Sequence, residues 1–177
     1  MRRLRFIPDE VVQRMREQDP EVSAAIDAVY NELEQDGMLE TVEEYHNRHM
    51  TSSLGVVTVS SRADARRLIK PFRQQLLGKT VVEIGAGIGY FALELARYCP
   101  QVFAIESDPA WSWIFAKHLY DKKPSHLTWI FGRAEEVARW LRADIALIVT
   151  RSGHEEMENV ARRMAPVVID VYRVLEV

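Results

Sequence analysis

The chain has 177 residues, of which 47% are hydrophobic and 28% charged, with a formal net charge of −3. That length suits one domain able to bury a real core, while the single cysteine, Cys99, excludes an internal disulfide and fits a reducing cytoplasm. The apolar runs have strand length, short of a membrane span, and the start Met1-Arg2-Arg3-Leu4-Arg5 is not followed by a signal-peptide apolar core.

Residues 1–50 are acidic, with 6 Lys+Arg against 12 Asp+Glu, whereas 51–177 carry 17 against 14. No strongly basic domain emerges, which speaks against broad nucleic-acid binding. Pro8-Asp9-Glu10 reads as a helix start, and Val22, Ala25, Ile26, Val29, Tyr30 and Leu33 form an amphipathic face that Asp36-Gly37 breaks. A further helix from Met38 to about His49 carries Tyr45, His46 and His49, placed to act as a lid over a ligand. His46 and His49, with Glu43 near, lack the further ligands of a metal site, so no metal is expected. Residues 1–55 are thus a helical extension, and 56–177 form the main domain.

Ser60 to Leu77 follows, with Ala65, Leu68, Ile69, Phe72 and Leu76 on one helical face and Arg62, Arg66, Lys70 and Arg73 on the other. The basic stripe is read as a solvated face in preference to a phosphate-contacting one. Pro71 is expected to end or kink this helix near Lys70.

From residue 80 onward strands alternate with helices: 80–84, 101–106, 127–131, 144–150 and 166–174 have the apolar, β-branched character of buried strands. Such alternation forces parallel pairing with helices on both faces, and puts a ligand at the carboxyl edge of the sheet. On that edge lie Gly85, Ala86, Gly87 and Gly89, then Glu106 with Ser107, then Gly132, Arg133 and Ala134, then Thr150.

The turn after the first strand, Gly85-Ala86-Gly87-Ile88-Gly89, lets backbone approach a ligand that a Cβ would exclude. Glu106, about 20 residues on, stands where a carboxylate accepts from ribose hydroxyls. A dinucleotide fingerprint wants its third glycine three places after the second; here that place is Tyr90, and the glycine falls one step earlier.

With Glu83 two residues before the first glycine, the string Glu83-Ile84-Gly85-Ala86-Gly87-Ile88-Gly89 resembles the first motif of class I S-adenosylmethionine-dependent methyltransferases, and Glu106 matches their ribose-binding acid. The resemblance runs from about Lys79 to Ala165. It implies an α/β fold, a Rossmann-like three-layer sandwich with a mainly parallel five-stranded sheet in the order 3-2-1-4-5. It also implies S-adenosylmethionine as cofactor, held by Glu83, Gly85, Ala86, Gly87, Gly89, Glu106, Ser107, Gly132, Arg133, Ala134 and Thr150. Arg133 stands where the family often has an acid that accepts from the adenine amino group. An arginine has no acceptor, which leaves that task to the backbone of Gly132 and Ala134 or to Glu135.

His154, just past the fourth strand, is the candidate base, weighed against a plain helix-start role. No Asn-Pro-Pro-Tyr or Asp-Pro-Pro-Tyr string is present, which argues against an exocyclic amine of adenine or cytosine as acceptor, and no Pro-Cys supplies a nucleophile. The acceptor is open, with a small molecule or protein favoured slightly over nucleic acid. Two rivals stand beside a methyltransferase: a protein that binds the cofactor without catalysis, for which Arg133 speaks, and a nicotinamide-dependent oxidoreductase, against which Tyr90 speaks. The family's sheet normally continues beyond a fifth strand, so the run Val167 to Tyr172 is expected to self-associate, giving a dimer, or to be covered by the amino-terminal helices.

Overall fold

The computed structural model describes residues 27, 31–41, 62–149 and 154–171, without the side chains of Ala110 and His154. Thr150, the lid residues Tyr45, His46 and His49, and the segments 1–26, 42–61 and 172–177 lie outside the described residues. The chain divides into two compact units, Met1–Asp64 and Ala65–Val177.

In the first unit, helical residues 31–35 stop where the sequence indicates. Gly37 takes φ +69°, its N–H donates to the Glu34 carbonyl at 3.1 Å, and the Met38 N–H reaches back to the Leu33 carbonyl at 2.8 Å. That pair of bonds is a Schellman stop, and its usual apolar contact is supplied by Leu33 and Met38, both fully buried. The Arg62 guanidinium pairs with Asp36 in the same unit.

Helix α1, Arg62–Ile69, ends one residue before a 3-10 turn, Lys70–Phe72, which leads into the short α2, Arg73–Leu76. Pro71 is the cause, since it has no N–H to continue the ladder. Ala65, Leu68, Ile69 and Leu76 are buried, while Arg66, Lys70 and Arg73 stay in water. The basic stripe finds partners on its own chain: Arg66 pairs with Glu94 at 3.6 Å, and Arg73 lies 4.8 Å above the Tyr98 ring.

The remaining elements are β1 (Thr80–Ile84), α3 (Tyr90–Leu95), β2 (Gln101–Glu106), α4 (Pro109–His118), β3 (Leu127–Phe131), α5 (Ala134–Val137), β4 (Ile145–Ile148), α6 (His154–Met164) and β5 (Val167–Asp170). All pairings are parallel and the order is β3-β2-β1-β4-β5, as expected. The fourth and fifth strands are shorter than their apolar runs. The paired register of β4 begins at Ile145, and Asp144 just before it bonds Thr80 twice, its N–H donating to the Thr80 carbonyl at 2.9 Å and its carboxylate accepting from the Thr80 N–H at 2.8 Å, which pins the starts of β1 and β4 together.

Strand alternation divides the core. Val82, Ile84, Ile105, Ala146 and Ile148 face a cluster completed by Val137 and Leu141, near α5, and by Val160, Ala161 and Met164 on α6. The opposite face of β1 carries Val81 and Glu83, both fully buried. Phe115 of α4 stacks on Trp129 of β3 with ring centroids 3.8 Å apart and planes 8° from parallel. Phe115 is fully buried, so Phe115→Ala is expected to cost about 3–5 kcal/mol. Urea unfolding that finds less than about 1 kcal/mol would mean the stack contributes little.

Candidate functional site

The carboxyl edge of the sheet brings together three chain segments that are far apart in sequence, and one residue ties them. Glu106 ends β2 and is 7% exposed. Its Oε2 accepts from the Gly87 N–H at 2.7 Å, its Oε1 accepts from the Asp108 N–H at 2.7 Å, and its carbonyl accepts from the Gly132 N–H at 2.9 Å. The glycine turn, the start of α4 and the turn after β3 are therefore all registered on a single residue. Burial raises the Glu106 carboxyl above its ordinary range, and the N–H donors of Asp108 and Gly87 pull it part of the way back.

The glycine turn takes its shape from left-handed backbone. Gly85, Gly87 and Gly89 have φ +80°, +58° and +98°. The Gly85 and Ala86 N–H groups both donate to the Ile105 carbonyl at 3.0 Å, and Gly89 N–H closes the turn onto the Ala86 carbonyl at 2.9 Å. Gly87 and Gly89 then differ in purpose. A Cβ on Gly87 would meet nothing within 4 Å, so its side is open to a ligand, whereas a Cβ on Gly89 would lie 2.6 Å from Phe115 Cδ2 and 3.2 Å from Trp129 Cζ3. The shifted third glycine is thus the place where the turn and the start of α3 press onto the Phe115–Trp129 stack. Tyr90, at the place a dinucleotide fingerprint reserves for glycine, is 2% exposed.

Glu83 is fully buried, and neither carboxylate oxygen has a hydrogen-bond partner among the described residues. Its strand neighbours are Ala104 and Leu147, which offer it no side-chain donor. Burial first, and the nearby Glu106 charge second, hold its carboxyl well above the usual range. An orphan acid behind a glycine cradle is a group that gains from a ligand bearing donors or positive charge.

The other expected contacts are placed less uniformly. Ala86 is 6% and Ala134 7% exposed, while Ser107 lies in water. Gly132 already spends its N–H on Glu106, so an adenine ring meeting this loop would be left its carbonyl and the first N–H groups of α5. Arg133 precedes α5, 68% exposed, and pairs with Glu135 at 3.4 Å. Its partner is thus an acid two residues on from where the family resemblance wants one. His154 opens α6. Cys99 is buried, with its thiol pushed up to about 11 by burial and its Sγ 3.5 Å from the Leu76 carbonyl, so it is no nucleophile. Among the described residues no three His, Cys, Asp or Glu side chains form a metal-binding group, and no helix is long and apolar enough to cross a membrane.

Sequence reasoning missed Phe115, Trp129 and Ser112, whose Oγ accepts from the Trp129 Nε1–H at 3.3 Å. The inward period of α4 carried part of that signal, but nothing in it says that Phe115 closes on Gly89.

No protein-family model and no curated protein matches the chain. Solved structures do match. A tRNA m1G37 methyltransferase from Methanocaldococcus jannaschii is 17% identical with TM-score 0.51, over 64% of this chain and 34% of that one. A precorrin-6y C5,15-methyltransferase from Geobacter metallireducens is 19% identical with TM-score 0.53, over 62% and 60%. A precorrin 8w decarboxylase from Methanobacterium thermoautotrophicum is 23% identical with TM-score 0.50, over 59% and 61%. The chain spans between about a third and three fifths of the length of these structures.

Two substitutions separate packing from ligand space. Gly89→Ala is expected to lose roughly 2–4 kcal/mol, from left-handed strain and from the clash with Phe115. Gly87→Ala should lose only about 1–2 kcal/mol, from strain alone. Equal losses by urea unfolding would remove the distinction. Glu83 carries a pH signature: the folded chain retains a proton that the unfolded chain releases above the ordinary value of 4.5, so its contribution to stability is lost as the pH rises from there. As the pH rises above that value, wild-type stability is expected to decline relative to Glu83→Gln, and parallel curves would show Glu83 already ionised.

With its sheet order, edge loops and glycine turn, the chain has the Rossmann-like fold of the class I methyltransferases that its first motif resembles.

Proposed function

We propose that the chain binds S-adenosylmethionine at the carboxyl edge of its sheet and transfers the methyl group to an acceptor. The observation that carries this reading is the Glu106 junction: one buried carboxylate holds the Gly87 N–H at 2.7 Å beside a cradle that no Cβ fills. The Glu106 carboxylate is held by the backbone N–H groups of Gly87 and Asp108, and its remaining acceptor capacity is offered to ribose hydroxyls. Gly85 to Gly87 admit the ligand to backbone contact, and Glu83 sits behind them as the acid that a cationic ligand would satisfy. Gly132, Ala134 and Glu135 line the place for the base.

Bound S-adenosylmethionine supplies an activated methyl group, since an acceptor lone pair attacks the methyl carbon in line and the carbon–sulfur pair leaves with a neutral thioether. The work of the chain is then to align two reactants and keep water out. The site accordingly offers a cofactor cradle and, among the described residues, no nucleophile. A base is needed only for an acceptor that carries its proton at neutral pH, and His154, at the start of α6, is the residue assigned to take it.

A second reading is favoured by Arg133: a protein that binds S-adenosylmethionine or S-adenosylhomocysteine without turning it over. Turnover with cell extract separates the two. The proposed assembly pairs β5 with a second copy, since β5 bonds only to β4 among the described residues and Val167 is 45% exposed.

Calorimetry with S-adenosylmethionine, S-adenosylhomocysteine and NAD tests the cofactor. The first two are expected to bind and NAD not to. Glu106→Ala, which loses charged hydrogen bonds worth about 1.5–3 kcal/mol each, should weaken binding by at least roughly tenfold. Gly87→Arg, which fills the cradle, should abolish it with the fold retained by circular dichroism. Binding of NAD alone would move the chain to the oxidoreductase reading.

A further inference from the structure

Helix α4 has more aromatic surface than its place in the core uses. Its inward side chains Trp111, Ile114 and Phe115 are 9%, 1% and 0% exposed, yet Trp113 is 54% exposed and Tyr120, just past the helix end, is 53% exposed. Trp113 and Lys117 are spaced i, i+4 on one face of α4, and the exposed stripe they begin is continued along the chain by Tyr120, which opens the 3-10 turn Tyr120–Lys122.

Each exposed ring carries an ammonium. Lys117 Nζ lies 4.8 Å from the Trp113 centroid and Lys123 Nζ lies 5.0 Å from that of Tyr120. Lys122 adds a third cation, and Asp121 is the one acid between residues 113 and 123. Protein interfaces gather aromatic residues but exclude lysine from their centres. Lysines interleaved with half-exposed rings instead match a polyanion that carries its own flat faces, which is an unpaired nucleic-acid strand. The stripe runs from one turn beyond Ser107 and Asp108, where α4 leaves the carboxyl edge of the sheet, to the start of β3 at the opposite edge, where Lys123 Nζ donates to the Leu127 carbonyl at 2.9 Å and keeps two N–H groups for an anion.

We propose that the outer stripe of α4 binds single-stranded nucleic acid, with bases stacking on Trp113 and Tyr120 and phosphates facing Lys117, Lys122 and Lys123, and that such a strand is the methyl acceptor. The acceptor clause rests on the methyltransferase reading; the binding clause stands without it.

The test is fluorescence anisotropy with labelled oligoadenylate of about a dozen nucleotides, as RNA and as DNA, against a duplex of equal length. Wild type is expected to prefer either single strand to the duplex. Its log K should fall with log salt at a slope near −2, for about three phosphate contacts. Trp113→Ala with Tyr120→Ala should weaken binding at least about tenfold, since each stacked base contributes 1–3 kcal/mol. Lys117→Glu is the second variant, should the double one fail to fold by circular dichroism. Equal affinity for duplex and strand, or variants that bind as well as wild type, would overturn the proposal. So would sedimentation in which wild type self-associates and the aromatic variant does not, for the stripe would then be a protein contact. S-adenosylmethionine calorimetry on the same samples keeps the readings apart: strand binding without cofactor binding removes the methyltransferase reading and the acceptor clause, and cofactor binding without strand binding removes the stripe alone.

Discussion

The carboxyl edge depends on the carboxylate and carbonyl of Glu106. Three N–H groups, from Gly87, Asp108 and Gly132, converge on this one residue. Loops are ordinarily the loosest parts of a domain, since their backbone groups are satisfied by water. Here three loop ends share one acceptor that is itself fixed by the β2 pairings on both sides. Losing the carboxylate would free the Gly87 and Asp108 donors at once, leaving Gly132 on the main-chain carbonyl, and the cradle would lose its shape along with its ribose acceptor. Function and local order thus rest on the same atoms, so an effect of substitution on ligand binding has to be read beside one on stability.

Charge sets a second constraint. Glu83 and Glu106 are both buried acids near the same turn, and Glu106 has donors while Glu83 has none among the described residues. Ionising both is costly in that setting, and the cost falls more heavily on the acid that lacks partners. An apolar residue at position 83 would suit β1 better as a strand core. A buried acid left without a donor makes sense as a cost carried for the ligand, and local departures of this kind collect at functional sites.

The strands were readable because burial on both faces writes itself as apolar runs separated by helical periods: Val81 to Ile84, broken by Glu83, Val102 to Ile105 and Ile145 to Ile148 call for parallel pairing, while the strand order followed from the family resemblance. Ends were read less well. Asp144 and the residues after Ile148 have strand character in sequence, yet the paired register of β4 runs from Ile145 to Ile148, with Asp144 bonded to Thr80 through both its N–H and its carboxylate. Pro71 and Gly37 were legible because each acts through its own backbone. Phe115 and Trp129 were not, since a stacking partner 14 residues distant leaves no mark in local pattern.

By itself the sequence determined the alternation of elements, the glycine turn and the presence of acids at positions 83 and 106, because periodicity and φ preference are local properties of the chain. Only the tertiary structure decided which of these glycines serves a ligand and which serves packing. Gly87 and Gly89 are both left-handed, but one faces open space and the other an aromatic ring, and that difference arises when α4 folds back over the turn. It likewise decided that the basic stripe of α1 and α2 is turned on Glu94 and Tyr98, while the lysines of α4 and its end cover exposed rings. Charge and aromatic content are countable in one dimension, but what they face is fixed only by packing in three.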